Sequence, residues 1–228
     1  DTLAIDWSGK GHNGTWNGSA TGGFGANSSG YYAGSFVFDG KDDFVNISGG
    51  SGSIDWAGNE TKSFVLWVKG SSKGRTMMRQ RFYVNRVPVT LYLDASTGSL
   101  ESWMYNSVFD FTTIDLADSV WHHIAYIYNG TDELAYIDGV VDPNTNREGA
   151  PATSDDQLNI GAGGGAEYWN GSIDEVTIWN RTLSASEITQ LYIQGRPNYN
   201  YLAYQNVSAT TTDNKFTIST LTTNLLPE

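Results

Sequence analysis

The chain has 228 residues, 13 basic against 25 acidic, for a net charge of −12, a balance that repels phosphate backbones and anionic lipid and so argues against nucleic-acid partners. Its longest apolar runs, Phe64 to Val68 and Ile124 to Tyr128, fall far below the roughly 20 residues that a membrane-crossing helix needs, which excludes helical membrane insertion. The absence of cysteine excludes a disulfide framework, thiolate zinc and thiol catalysis.

Glycine is frequent, at 26 residues, and charged residues are only 17% against roughly 25% in ordinary domains, a profile of many tight turns. The apolar residues come in short runs of period near two, bounded by Gly, Asn and Asp. In chain order these predict strands at Ser35 to Phe38, Phe44 to Ile47, Ser63 to Lys69, Thr90 to Leu93, Leu100 to Tyr105, Val120 to Tyr128, Glu133 to Ile137, Gln157 to Gly161 and Gly171 to Trp179. Asp39-Gly40, Asn129-Gly130, Asp138-Gly139 and Asn170-Gly171 supply the positive φ that hairpin turns require. Nine or more short strands imply two packed antiparallel sheets. Phe36, Phe38, Phe44, Trp67, Trp121 and Trp179 are assigned to the core by their alternation. His122 and His123 fall on opposite faces of one strand and cannot serve one site; with His12 the only other histidine, no His-rich metal centre is expected.

The pattern then changes. Apolar residues at 188, 191 and 192, with Ser184 and Glu187 spaced as a capping box, predict a helix over 185–193 that ends at Gly195 and Pro197. The domain is therefore drawn as residues 1–196, followed by a C-terminal extension over 197–228. This extension holds one alternating stretch, Phe216, Ile218 and Leu221, and is read as a linker followed by one or two detached strands that dock on the domain's own sheet or on a neighbouring copy, or as the start of a following module. The start at Asp1, with neither Met nor a charged-then-apolar leader, reads as a mature product or a segment of a longer polypeptide.

Several blocks occur together in order: Asp6-Trp-Ser-Gly-Lys-Gly-His-Asn-Gly-Thr15, Phe36-Val-Phe-Asp-Gly-Lys-Asp-Asp-Phe-Val45, Ser63-Phe-Val-Leu-Trp-Val-Lys69, Trp121-His-His-Ile-Ala-Tyr-Ile-Tyr-Asn-Gly130, Tyr136-Ile-Asp-Gly139, Leu158-Asn-Ile-Gly161 and the run from Asn170 to Ser184. Their order and spacing resemble laminin-G-like domains of the concanavalin A-like lectin/glucanase type found in microbial surface proteins. The resemblance spans residue 6 to about residue 193. It implies an all-β, two-sheet antiparallel jelly-roll sandwich with one short C-terminal helix, serving recognition or adhesion rather than catalysis. It also implies a structural calcium ion that joins the N-terminal segment to the last long strand. Its ligands, carried over residue by residue, would be Asp6, the Gly40 carbonyl and Asp174. Strand alternation, with Ile173 and Glu175 on one face and Asp174 with Val176 on the other, is the expected support for that set.

Sugars dock on aromatic faces while Asn, Asp and backbone groups read their hydroxyls. The aromatics beside Gly or Asn turns and not assigned to the core are Trp16, Tyr31, Tyr32, Trp103, Tyr105, Tyr168 and Trp169; of these, Trp103, Tyr105, Tyr168 and Trp169 are the ligand-binding candidates. A glycoside hydrolase of this fold would carry Glu-x-Asp-x-x-Glu, or a form one residue longer, on one strand, and no strand here has it. A structural repeat of a surface layer, stalk or filament, assembled through the C-terminal strand, is the alternative to a binding module.

Asn-x-Ser/Thr sequons occur at Asn13, Asn17, Asn27, Asn46, Asn59, Asn129, Asn170, Asn180 and Asn206, nine where the composition gives about 3.5 by chance, an excess that points to an extracellular, glycosylated protein at the cell surface. Several of these sites are also simple Asn-Gly turns. The partner class is accordingly a glycan or a glycosylated surface protein.

Overall fold

The structure, a computed structural model, describes residues 3–6, 8, 10–19, 34–48, 60–80, 87–105, 107–111, 114–147, 157–163 and 167–195. Tyr31 and Tyr32, the sequons at Asn27, Asn59 and Asn206, and the C-terminal extension lie outside these residues. The strands are β1 (Leu3–Ala4), β2 (Gly14–Asn17), β3 (Phe36–Asp39), β4 (Phe44–Ser48), β5 (Lys62–Gly70), β6 (Arg75–Gln80), β7 (Val87–Leu93), β8 (Leu100–Tyr105), β9 (Ser107–Asp110), β10 (His122–Tyr128), β11 (Asp132–Ile137), β12 (Val140–Val141), β13 (Asn146–Arg147), β14 (Gln157–Ile160) and β15 (Asn170–Trp179). One helix among the described residues, α1 (Ala185–Gln194), follows.

All pairings are antiparallel. One sheet has eight strands in the order β1-β2-β4-β14-β6-β7-β8-β9; the other runs β12-β11-β10-β5-β15-β3, with β13 also paired to β11. This is the two-sheet sandwich that the alternating runs imply. Between the sheets lies the main core, which includes Phe38, Val45, Leu66, Met77, Leu91, Tyr126 and Ile173. A second, smaller layer forms on the outer side of the seven-stranded sheet, where Val65, Ala125 and Ile127 meet Leu183 and Ile188 at α1.

The helix begins as its sequence dictates. The Ser184 hydroxyl accepts the Glu187 backbone N–H, and the Glu187 carboxylate accepts the Ser184 backbone N–H at 2.8 Å. That reciprocal pair satisfies two of the amides that a helix start leaves without partners. Arg181 clamps the same carboxylate at 2.7 and 3.1 Å.

Two bulges depart from simple alternation. In β6 the register shifts between Thr76 and Met78, so that the neighbours Met77 and Met78 are both fully buried. In β15 the register shifts between Asp174 and Thr177, and Glu175 takes a left-handed φ of 48°. The extra residue resets the pleat. Ile173 and Val176 therefore both reach the main core, and the expected pairing of Asp174 with Val176 on one face does not occur. Phe44 also departs from its core assignment. Its neighbour Val45 takes the buried position, leaving the Phe44 ring half-buried against Tyr168.

A polar bridge crosses the core. The Glu133 carboxylate, from β11, accepts hydroxyls from Tyr126 on its own sheet and Ser102 on the opposite one. His122 and His123 do point to opposite sides. His123 is buried against Trp67 and Tyr192 under the helix, and burial holds its pKa down to about 4. His122 contacts Asp138 at 2.9 Å and Asp118 at 3.3 Å, and the hydrogen bond to Asp138 raises its pKa above 6.5.

Two outcomes follow from these contacts. Replacing the cap, Ser184→Ala, lowers stability in denaturant melts by about 0.5–2 kcal/mol. A raised His122 pKa contributes stability that is complete below the unfolded-state value and lost as pH rises through the folded-state value; His122→Gln is therefore expected to destabilise at pH 5.5 and to have a progressively smaller effect toward pH 9, measured by thermal melts across that range.

Candidate functional site

The eight-stranded sheet turns one face to the core and the other outward. On β8, Leu100 and Met104 are buried in the core, so Glu101 and Trp103 project outward by the period of two. The registers carry that face across seven strands: Thr15 pairs with Asn46, Asn46 with Asn159, Asn159 with Arg79, Arg79 with Thr90, Thr90 with Trp103, and Trp103 with Val108. At about 4.8 Å per strand this row, polar as far as Thr90, is roughly 29 Å long. Asn46 Nδ2 donates to Asn159 Oδ1 at 2.8 Å. Thr90 is 2% exposed, and its hydroxyl has no hydrogen-bond partner among the described residues.

A second row lies alongside, in which Thr76 pairs with Tyr92, Tyr92 with Glu101 and Glu101 with Asp110. The half-buried rings of Tyr92 and Trp103 meet at 5.3 Å between centroids. The Trp103 indole N–H donates to Glu101 Oε2 at 3.3 Å. Glu167, ahead of β15, reaches the same face: its carbonyl accepts the Thr76 N–H at 3.1 Å, and the Thr76 hydroxyl contacts its Oε2 at 3.3 Å. Tyr168, next along, sits 6.4 Å from the Phe44 ring. Tyr168 thereby lies against Phe44 on β4, four strands from β8, whereas Trp103 meets Tyr92, which sequence reasoning left as a strand residue. Only the outward alternation from Glu101 across to Tyr92 could have found it.

The face also assembles carboxylates. One oxygen from each of Asp94, Glu101 and Asp110 lies within 4.8 Å of the others. Burial, with the neighbouring charge of Asp110 adding to it, pushes the Glu101 carboxyl up. Asp94 is committed to a turn: its Oδ1 accepts the backbone N–H groups of Ser96 and Thr97 and the Thr97 hydroxyl at 2.6–2.9 Å, and these bonds hold its carboxyl below the usual range. The three come from different strands or strand ends, which is why a search for acidic spacing along one strand passes over them.

Two of the expected sites are corrected by the geometry. Trp169 is fully buried; its ring occupies the space where a side chain on Gly70 would lie, and its indole N–H donates to the Ser172 carbonyl at 3.3 Å. It is a core residue, not a ligand contact. The set of Asp6, Gly40 and Asp174 does not converge either. Gly40 packs against Asn170 at the start of β15, and Asp174 stands four residues farther along, roughly 13 Å away in extended chain. Ligands of one calcium ion lie about 2.5 Å from it and so about 5 Å or less from each other. Asp6 closes its own loop instead, taking the Ser8 and His12 backbone N–H groups and the Ser8 hydroxyl at 2.8–2.9 Å; the Ser8 hydroxyl leads in lowering its pKa to about 2. Asp174 Oδ1 accepts the Glu175 N–H at 2.9 Å within the bulge. Tyr105 is the last residue of β8, and its side chain lies outside the described atoms.

Of the sequons, Asn13, Asn129 and Asn180 are exposed. Asn17 and Asn170 are half-buried, with Nδ2 donating to the Thr15 carbonyl and the Ser72 hydroxyl, both at 3.0 Å. Asn46 is committed to Asn159 within the sheet.

A family model described as the concanavalin A-like lectin/glucanases superfamily matches residues 38–189. No curated protein matches the chain in sequence. Among solved structures it resembles domain 4 of AbnA, an extracellular arabinanase of Geobacillus stearothermophilus in complex with arabinotriose, with 21% identity over 78% of this chain and 81% of that one and a TM-score of 0.57. It also resembles the receptor-binding domain of a botulinum neurotoxin C/D mosaic serotype, with 15% identity over 83% and 48% and a TM-score of 0.64. A third likeness is to the binding domain of botulinum neurotoxin DC in complex with SialylT, with 13% identity over 86% and 51% and a TM-score of 0.63. The chain spans about half the length of these toxin domains. At such identities the likeness is one of fold.

The two tryptophans should separate cleanly on substitution. Trp169→Ala empties a core position and is expected to cost about 3–5 kcal/mol, whereas Trp103→Ala costs about 1 kcal/mol or less, both read from urea unfolding followed by circular dichroism.

Proposed function

The chain belongs to the concanavalin A-like lectin/glucanase superfamily, and on that premise we propose that it is a non-catalytic carbohydrate-recognition module whose binding surface is the outer face of the eight-stranded sheet. The observation that carries this reading is the Tyr92–Trp103 pair set beside the row of Asn46, Asn159, Arg79 and Thr90. An aromatic platform takes the apolar face of a sugar ring, and amide, guanidinium and hydroxyl groups at fixed strand spacing read its hydroxyls. Structural neighbours in complex with arabinotriose or SialylT support the ligand class.

The setting we infer is secreted or cell-surface. The sequon excess and the extracellular arabinanase domain among the neighbours support it, and among the described residues no helix is long and apolar enough to cross a membrane. Adhesion to glycan or to a glycosylated surface protein is the corresponding role.

A glycoside hydrolase is the second reading, favoured by the approach of Glu101 to Asp110, because retaining hydrolysis uses carboxylates about 5–5.5 Å apart. Against it, Glu101 Oε2 accepts a hydrogen bond from the Trp103 indole N–H, and Asp94 is committed to its turn.

Calorimetric titration of the whole chain with arabino-oligosaccharides and sialylated oligosaccharides, backed by a glycan array, tests both readings. At least one ligand is expected to bind, with Trp103→Ala and Tyr92→Ala each weakening it about tenfold or more. No reducing sugar should be released. Failure of every glycan to bind, or affinity indifferent to both substitutions, refutes the binding face; product release abolished by Glu101→Gln establishes the hydrolase instead.

A further inference from the structure

We propose that Asp39, Asp42 and Asp43, in the turn joining β3 to β4, form a site for a hard divalent cation of the calcium type. One carboxylate oxygen from each lies within 4.8 Å of those of the other two. Acidic groups crowd many protein surfaces without binding metal, and what singles out this turn is Asp43. Its side chain is fully buried. Oδ2 accepts the Asp39 backbone N–H at 3.0 Å, but Oδ1 is enclosed with no hydrogen-bond partner among the described residues. A buried carboxylate oxygen lacking a donor is strongly disfavoured and calls for a compensating positive charge.

Glycine makes room for that oxygen to be enclosed. Gly18 has φ +139°, and a Cβ on it would fall 2.2 Å from Asp43 Oδ1. On the other side, Gly40 holds the turn at φ +78°, where a tight backbone can offer a carbonyl to a cation. Asp42 Oδ1 accepts the backbone N–H and the hydroxyl of Ser19 at 3.3 and 3.2 Å, so the segment leaving β2 is already drawn to the cluster. The one nearby side-chain cation among the described residues, Lys41, is 80% exposed and stands 3.8 Å from Asp39 Oδ2. It screens the rim of the site and leaves the enclosed oxygen uncompensated. Burial, together with the charges of Asp39 and Asp42, raises the Asp43 carboxyl while Lys41 opposes them; the same field attracts a divalent ion. Calcium suits three carboxylates and a carbonyl with adaptable geometry, whereas magnesium retains much of its water and demands a stricter octahedron.

Terbium luminescence on the full chain, excited through its tryptophans, and melts in calcium chloride or EDTA test the assignment. The expected results are terbium emission displaced by calcium and not by equimolar magnesium, and a melting temperature raised by about 5 °C in excess calcium. Asp42→Asn and Asp43→Asn should each weaken terbium binding at least about tenfold. Asp6→Asn and Asp174→Asn should bind as the parent does. Should Asp43→Asn fail to fold, the half-buried Asp42→Asn decides alone. The proposal is overturned if the parent shows neither calcium-displaceable emission nor a calcium-dependent melt, if Asp42→Asn binds normally, or if Asp6→Asn or Asp174→Asn loses binding while Asp42→Asn keeps it.

Discussion

The fold depends on β5 being buried on both faces. Every residue from Lys62 to Gly70 except Lys69 is enclosed. Phe64, Leu66 and Val68 face the opposing sheet, while Val65 faces the helix layer and Trp67 stacks on Tyr192. A strand in this position needs apolar groups at consecutive places, and burying each large one is worth about 1.5–3 kcal/mol. Its neighbours β10 and β15 are drawn in on either side, and α1 is needed to close the outer face. The buried Lys62 ammonium at the end of β5 is accommodated because it donates to Asn180 Oδ1 at 2.7 Å, a residue just beyond β15.

Where local chemistry and global packing agree, the sequence is readable. The capping box of α1, the Asp138-Gly139 turn and the nine alternating runs all announce themselves through neighbours in the chain, and each appears within a residue or a few of its expected bounds. What escapes is structure that comes from pairing. The strands β1, β2, β9, β12 and β13 have only two to four residues each and join existing edges or ends of the sheets, too short to display a period of two in sequence. For β6 the reason is different, since the bulge that buries both Met77 and Met78 erases the period by which a strand is recognised.

The same distinction runs through the candidate sites. Trp103 is legible because outward aromatics on a strand with a clear period stand out. Trp169 looks equally available in the sequence, beside a glycine-rich connection, yet Gly70 on a strand remote in sequence provides its slot. The acidic trio Asp94, Glu101 and Asp110 exists only once β7, β8 and β9 are laid side by side. In the Asp39-Gly40-Lys41-Asp42-Asp43 stretch, the sequence displays every carboxylate but gives no sign of which is buried. That depends on Gly18, which follows β2 and packs on Asp43, and it separates an ordinary solvated turn from one that encloses a carboxylate oxygen with no hydrogen-bond partner among the described residues.

The Glu133 bridge has a mechanical consequence for the whole sandwich. Apolar layers resist separation but offer little resistance to sliding, because dispersion contacts are nearly interchangeable along a strand. A carboxylate held by a hydroxyl from each layer acts as a shear pin, fixing how far one layer may translate over the other. Polar pairing of this kind specifies alignment more than it adds cohesion. The outward rows that include Trp103, one residue along β8 from Ser102, thereby keep a set position relative to the helix-covered layer on the far side of the molecule.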